Sequence, residues 1–401
     1  MAKISPAPKI RWITDFDLAA AILAHKAFRE VTFKGLVPLL GHVIVTLEDE
    51  AHRERRSLEG RLFVTSLLKS HEESLIPEVI ETTLQPYLEA GSGCLVEISQ
   101  AVTSRIAARI IGLDGLKDPS ATTEAVRLLS ALVGGTASTH GEHPPLTRRQ
   151  ARNLLRQHFI DNALERRRNL VNQYRTGKLT RAELPFDLIT LLLLHQEEWN
   201  TQQISAEVAF YAVAAVDTTA TLVPHLMHEL WKFYQNPTNL SQGYVSLPED
   251  QDFLRAAAAE TLRLHPVLPT LFRQARQTIE LGEICFETGE VVGLNLGKAN
   301  LDPAVFGDDA KEFNPLRVVR ARTRRAGLSF GGGVHLCLGR ELALGTPEST
   351  TTNPEHSLFG EATLLAQALL RHKARPDPAH PVQTPSEYSR DVYQNYPILL
   401  G

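Results

Sequence analysis

Ala209-Phe210-Tyr211-Ala212-Val213-Ala214-Ala215-Val216 is an almost uninterrupted apolar stretch at the centre of a helical pattern that runs from Thr201 to Tyr234. A helix apolar on every side does not lie on a surface, so other elements have to enclose it. The run ends abruptly in Asp217-Thr218-Thr219, and Pro224 farther on is a potential kink. A chain of 401 residues is long enough to build that enclosure and to leave room inside for a cofactor.

The rest of the sequence supplies the enclosing elements. Ile10 to Thr14 alternates weakly, as a short strand would, and Asp15 is a cap for a helical run through Leu18, Ile22 and Leu23. The periodicity predicts one long amphipathic helix over Glu48 to Leu68, basic on one side (Arg53, Arg55, Arg56, Arg61), then helices over Ile76 to Leu88, Leu95 to Ile111 (closed by Gly112) and Thr122 to Val133. Gly134 to Pro145 reads as a flexible loop. Leu146 to Tyr174 reads as a strongly basic helix, followed by Asp187 to His195 and, after the long central helix, by Asp252 to Leu264. Beyond Pro266 the period changes. Thr270 to Leu296 alternates and is punctuated by Gly282, Gly289 and Gly293, which predicts short strands and turns. Asp302 to Arg325 is irregular. With no repeat and no linker, the expected architecture is one mainly α domain over residues 1–401 with a small β-rich part.

Composition excludes several classes. With 43% hydrophobic and 22% charged residues the chain is not disordered. A net charge of -4 argues against nucleic acid as a partner. The N-terminus carries no apolar segment of signal-peptide length, and the apolar stretch Leu36 to Leu47 falls short of the ~20 residues that span a bilayer. Neither a secreted protein nor membrane insertion is therefore expected. Cys94, Cys285 and Cys337 are too few and too scattered for a disulfide framework or a zinc site, so a reduced, cytoplasmic setting is expected.

The chemistry concentrates in Phe330-Gly331-Gly332-Gly333-Val334-His335-Leu336-Cys337-Leu338-Gly339, which precedes a helical run from Arg340 to Leu344. Glycines let a flat cofactor approach the backbone, and turn N–H groups at the start of a helix stabilise a thiolate. Phe330 is placed to pack on a macrocycle, and His335 to donate to a nearby anion. Three other readings compete: a buried structural Cys, a phosphate loop and a nucleophilic Cys. The phosphate loop fails because no Gly-Lys-Ser/Thr follows, and a His two residues before a Cys does not set up a general base.

Taken whole, F-G-x-G-x-H-x-C-x-G resembles the haem-binding loop of the cytochromes P450, haem-thiolate monooxygenases, of the soluble bacterial kind. The resemblance implies haem b held between the long central helix and the Cys loop, with Cys337 as proximal iron ligand and Phe330, Gly331, His335 and Gly339 about the haem. Thiolate ligation pushes electron density onto the iron and favours O–O cleavage. Glu260-Thr261-Leu262-Arg263 is similar to the family's paired Glu and Arg, and Phe313-Asn314-Pro315-Leu316-Arg317 to the segment that adds Arg317. In the family this triad is structural. Asp217 and Thr218 match the oxygen-activation motif, as a proton relay and a hydrogen-bond donor, with Ala215 where the family commonly has Gly. His52, Arg56, Arg273 and His335 are expected to bind the two haem carboxylates.

The resemblance further implies insertion of one oxygen atom of O2 into an apolar small organic molecule. Electrons would come from NAD(P)H through a separate ferredoxin reductase and ferredoxin, the latter meeting Arg53, Arg55, Arg61, Lys69 and Arg340. The pocket is expected from Val31 to Leu47, Leu132 to Leu146, Phe210 to Ala214, Val267 to Leu271 and Tyr393 to Ile398. The alternatives are a peroxide-driven peroxygenase and a non-catalytic haem protein that recruits a partner. Two departures from the family stand out. With 51 residues before His52, the opening helix and first strand are expected to be truncated or absent, leaving part of the substrate entrance open. Residues 345–358 break the helix after Cys337, which predicts an inserted, mobile loop near the proximal haem face.

Overall fold

The computed structural model describes residues 10–133, 146–196, 198–241, 249–347, 357–384 and 392–401. They fall into two compact units, the first ending at Gly35 and resuming over Ala259–Cys337, the second formed by Leu36–Ala258 and Leu338–Gly401.

The chain enters with strand β1 (Arg11–Ile13), helix α1 (Phe16–Ala24) and strand β2 (Phe28–Glu30). It continues through α2 (Val37–Leu40), α3 (Asp49–Glu59), α4 (Thr65–Ser70), α5 (Ile76–Ala90), strand β3 (Ser92–Cys94), α6 (Leu95–Ile111) and α7 (Pro119–Val133). Next come α8 (Arg148–Leu155), α9 (Asp161–Arg175), α10 (Leu188–His195), α11 (Thr201–Gln235), α12 (Pro237–Ser241) and α13 (Gln251–Leu264). Four strands follow: β4 (Thr270–Ala275), β5 (Ile279–Leu281), β6 (Ile284–Phe286) and β7 (Val291–Asn295). The short helices α14 (Leu296–Ala299) and α15 (Pro303–Phe306) lead to α16 (Arg340–Leu344), α17 (Glu361–Arg371) and strands β8 (Arg375–Pro376) and β9 (Pro397–Leu399).

In the first unit the sheet order is β1-β7-β4-β2, with β1 parallel to β7 and the other pairs antiparallel. Gly293 of β7 faces Trp12 of β1, whose ring leaves 2.8 Å for a Cβ, so a side chain does not fit there. Ile13, Phe16, Ile22, Phe28, Phe286, Val292 and Phe306 form the core under this sheet.

The second unit is helical. Its core gathers apolar residues of α6 to α11, including Val208, Ala209, Ala212 and Val216 from the central run. The apolarity of α11 is thus explained by burial. It is the one helix among the described residues long and apolar enough to cross a membrane, and 56% of the relevant window is buried inside the protein. An Asn200–Gln203 capping box starts it, and it runs unbroken through Pro224.

Caps read from the sequence act locally. Asp15 Oδ1 accepts the Leu18 N–H at 2.8 Å, and α6 stops at Gly112, whose φ is +93°. The helix predicted over Glu48 to Leu68 is instead broken: α3 stops at Glu59, residues 60–63 form a 3₁₀ turn, and Val64 is extended before α4. The apolar period of Leu58, Leu62 and Leu68 continues through the break, so the pattern does not reveal it. Elsewhere wide π turns at 71–75 and 156–160 let α4 run into α5 and α8 into α9.

After α16 the chain turns at Gly345 (φ +76°) and returns at Gly360 (φ +82°) into α17. The Thr346 N–H donates to the Leu358 carbonyl at 3.0 Å, and the Leu358 N–H to Thr346 Oγ1 at 3.0 Å. A Cβ on Gly360 would lie 2.5 Å from the Gly345 nitrogen, so the excursion leaves and re-enters at one point. Residues 348–356 of the expected inserted loop, and the loop predicted at 134–145, lie outside the described residues.

Candidate active site

The Cys loop is built in the first unit from the support beneath it. Glu260 and Arg263 lie one turn apart on α13, and neither is accessible to solvent. Arg263 Nε and Nη2 donate to the two Glu260 oxygens at 2.8 and 2.7 Å, and Arg317 Nε donates to Glu260 Oε1 at 3.0 Å. Both guanidiniums also donate to backbone carbonyls: Arg263 to Asn300 and Ala310 at 2.8 and 2.6 Å, Arg317 to Asp309 and Glu312 at 2.9 Å each. Two cations, the Glu260 carboxylate, the half-exposed Asp309 carboxylate that also pairs with Arg317, and the surrounding carbonyls leave a network with its donors used, the condition under which such a network rigidifies its surroundings.

Asn300 carries the order onward. Its carbonyl oxygen accepts the Leu328 N–H at 2.8 Å, its amide donates to Ser329 Oγ at 2.8 Å, and Ser329 Oγ donates to the Leu262 carbonyl at 2.8 Å. The loop then closes on itself, Gly331 N–H to Leu328 O at 2.7 Å and Cys337 N–H to Phe330 O at 3.0 Å. Gly331 and Gly333 have φ of +68° and +63°, and a Cβ on Gly333 would strike the Leu23 carbonyl at the end of α1. Glycine is therefore required there for both conformation and space. The Cys337 thiol emerges exposed from this loop, with Phe330 and His335 half-buried beside it in sequence. Arg273, on β4 of the same unit, is buried with Glu30, 3.5 Å away.

The second unit holds the remaining candidates. Asp217 and Thr218 are half-buried on α11, directly after its apolar centre. Thr218 Oγ1 donates back to the Ala214 carbonyl at 2.8 Å, and Thr221 Oγ1 to the Asp217 carbonyl at 2.7 Å. Such back-bonding draws helix carbonyls off the regular ladder. Thr219 faces inward and hydrogen-bonds Glu361 of α17, whose carboxyl is pushed up to about 7 by burial. His52 and Arg56 sit four residues apart on one face of α3, His52 buried and Arg56 half-buried. The turn after α3 packs on the residues following the Cys: Phe63 comes within 3.8 Å of where a Gly339 Cβ would stand, and Leu338 within 3.9 Å of one at Gly60.

The donor set fits a haem. Among the described residues no group of three or more His, Cys, Asp or Glu could hold a bare metal ion. A single exposed thiol suits an iron that brings four ring nitrogens with it, and glycines clear the backbone at the sulfur. Of the residues expected at the two haem carboxylates, Arg273 and His335 belong to the first unit and His52 and Arg56 to the second, and each carries a side chain able to donate to a carboxylate.

One sequence expectation is corrected. Arg55 does not present a charge to a docking protein: its guanidinium is held by Glu207 at 2.5 Å and lies 3.8 Å above the Trp199 ring, largely out of solvent. Burial of Glu59, Glu207 and Tyr211 around it had no local signal in the sequence, since each partner lies 152 residues from the other.

The model of the cytochrome P450 family matches residues 245–346. Cytochrome P450 52A8 of Candida tropicalis is 36% identical over 104 residues, which span 23% of this chain and 20% of that protein. The biotin biosynthesis cytochrome P450 of Bacillus subtilis (strain 168) is 23% identical over 342 residues, 83% of this chain and 79% of that one. Among solved structures, P450BioI in complex with acyl carrier protein ligated to hexadec-9Z-enoic acid superposes with a TM-score of 0.69 at 21% identity, covering 97% of this chain and 91% of that one. CYP109E1 from Bacillus megaterium in complex with testosterone gives 0.67 at 18%, covering 98% and 92%.

Proposed function

Because the chain belongs to the cytochrome P450 family, we propose that it is a haem-thiolate monooxygenase that inserts one oxygen atom of O2 into an apolar small organic molecule. The observation that carries the reading is the Cys337 thiol, presented by a loop that only glycines can form and that the Glu260–Arg263–Arg317 network supports from below. When bound, haem b supplies the redox chemistry, activating O2 with electrons that originate in NAD(P)H.

The protein's own groups would act around it. Cys337 would hold the iron as a thiolate. His52, Arg56, Arg273 and His335 would neutralise the two haem carboxylates, with Phe330, Gly331 and Gly339 shaping the seat. The Thr218 hydroxyl would hold a proton at the oxygen-binding position, and Asp217 would replenish it from solvent, a general-acid task. Ala214 and Ala215, which are accessible where Ala212 is buried, would leave room on that side of the central helix.

Several features support the finer reading. The structurally similar proteins are described with a fatty acyl chain or a steroid, which are apolar molecules. Val43, Ile44 and residues Phe210 to Val213 are aliphatic or aromatic and belong to the apolar core of the second unit, a surrounding that would suit an apolar ligand. The chain would work in the cytoplasm with a ferredoxin and its reductase, for which Arg53 and Arg61 remain exposed.

The test is the carbon monoxide difference spectrum of the reduced protein. The wild type should give the thiolate signature and Cys337→Ser should lose it while keeping its fold. NAD(P)H consumption with ferredoxin and reductase should then match product formation. Protein that stays colourless with haem, or gives an imidazole-type spectrum, overturns the reading.

A further inference from the structure

Helix α9 carries three consecutive arginines whose charges are met differently. Arg166 and Arg167 reach Asp114, at 3.0 and 3.2 Å, and Arg167 Nε also donates to Asp187 Oδ2 at 2.8 Å. Arg168 stands about 100° farther round the helix. Its one hydrogen bond among the described residues runs from Nη2 to Thr201 Oγ1, a neutral acceptor, at 2.7 Å. A guanidinium has five N–H donors, and this one is half-buried with no acidic partner among the described residues.

What Arg168 lines instead is a cleft of about 190 Å³ bounded by α9, α10 and the start of α11. Arg168, Val171 and Arg175 reach it from α9 with the i, i+3, i+7 spacing that keeps side chains on one helix face. Leu193 comes from α10 and Ile204 from α11, with Trp199 between them in sequence. Val171 and Ile204 are buried, so the floor is apolar. Arg175 Nη2 donates to the Leu193 carbonyl at 3.1 Å and ties α9 to α10. None of the described residues lining the cleft is acidic. Ile204 precedes Asp217 by about 20 Å along α11, at ~1.5 Å per residue, so the cleft is no part of the oxygen-activation motif.

We propose that this cleft binds a small organic carboxylate, with the carboxylate on Arg168 and the apolar body on Val171, Leu193 and Ile204. The ligand class follows from the walls. A guanidinium fork matches the two oxygens of a carboxylate, and binding exchanges the Arg168–Thr201 bond for a charge-assisted one. The apolar floor favours a ligand that covers it over a bare inorganic anion. Size sets the scale: pockets for drug-sized ligands run to about 300–1,000 Å³, so a cleft of about 190 Å³ suits a short chain or a single ring. Trp199 stands in the wall and carries the Arg55 guanidinium 3.8 Å over its ring, which makes it a reporter of occupancy. The site depends neither on haem nor on the monooxygenase reading.

The chain has three tryptophans, Trp12, Trp199 and Trp231. Fluorine NMR of the full-length protein grown with 5-fluorotryptophan therefore reads the cleft through one resonance, identified by its absence in Trp199→Phe. Hexanoate titrated at neutral pH should move the Trp199 resonance saturably and leave those of Trp12 and Trp231 in place. Hexanol has the chain without the charge, and inorganic phosphate the charge without the chain. Each should bind at least about tenfold more weakly than hexanoate, and Arg168→Gln should weaken hexanoate by the same factor, as loss of a charge-assisted hydrogen bond implies. The Trp12 and Trp231 resonances of that variant report its fold, and the two control ligands decide the matter on the wild type alone. No saturable movement of Trp199, hexanol equal to hexanoate (an apolar crevice only), phosphate equal to hexanoate (an anion site only), or full affinity in a folded Arg168→Gln overturns the site.

Discussion

Replacing Arg263 by Lys tests whether the buried network really carries the Cys loop. Arg263 is inaccessible and makes five hydrogen bonds: two to Glu260 and one each to the carbonyls of Asn300, Ala310 and Glu312. Glu260 Oε1 and the Glu312 carbonyl keep Arg317 as a donor, so Glu260 Oε2 and the carbonyls of Asn300 and Ala310 are the acceptors that depend on Arg263. A lysine ammonium carries its three donors at a single point and lacks the fork that spans them, so at least one buried acceptor loses its partner. At about 1–3 kcal/mol for an acceptor left unsatisfied, the expected loss is about 2 kcal/mol. That is a substantial part of the ~5–15 kcal/mol typical of a folded protein. The loss should be felt at Asn300 first, because its side chain holds Leu328 and Ser329 just ahead of the Cys loop. We expect a lowered urea midpoint and amide exchange in residues 326–331 faster by roughly 30-fold, since about 1.4 kcal/mol is tenfold. An Arg263→Lys variant with the wild-type midpoint and wild-type protection over 326–331 would refute the reasoning, because the charge is kept and only the fork of donors is removed.

Glu361→Gln removes a buried carboxyl whose pKa is raised from 4.5 to about 7 by burial. A raised acid holds its proton in the folded state, so its contribution to stability is present below pH 4.5 and is lost as pH rises to about 7. The variant should therefore gain on the wild type at pH 8 by up to about 3 kcal/mol and lose that advantage at pH 4, read as the difference in urea midpoints. Thr218→Ala removes a hydroxyl whose bond is to its own helix, at Ala214. The thermal midpoint should move little, while product formed per NAD(P)H oxidised falls about 100-fold, the lower end of the usual range for a positioned proton donor. Gly333→Ala should destabilise the Cys loop against the Leu23 carbonyl by about 2 kcal/mol or more, seen as faster haem transfer to apomyoglobin. Equal transfer rates would show that α1 yields to the added methyl.

Features that act over a few residues could be read in the sequence. Asp15 and Gly112 start or stop helices through bonds to neighbours within three or four positions, and the glycines at 331 and 333 announce a backbone that other residues avoid. The Cys loop and the pair Glu260–Arg263 belong to the same class. Other features depend on long-range partners. The turn at 60–63 interrupts a period that carries on unchanged across it, and the π turns at 71–75 and 156–160 shift a helix without altering its composition. Glu207 looks like one polar residue on an apolar helix until the fold brings Ile44 and Arg55 to it from 163 and 152 residues away. A basic run likewise says nothing about which of its members turns inward, and in the run 53–61 Arg55 does.

The meeting of Gly345 and Gly360 has a consequence for how this chain can be altered. An excursion whose two ends already touch adds little to the cost of closing it as it lengthens, about 0.6 kcal/mol for each doubling. The two helices it separates need not register how many residues lie between them. Position 345–360 is therefore a natural graft point, where a tag, a reporter or an entire foreign module can be spliced in with the two flanking helices left to themselves.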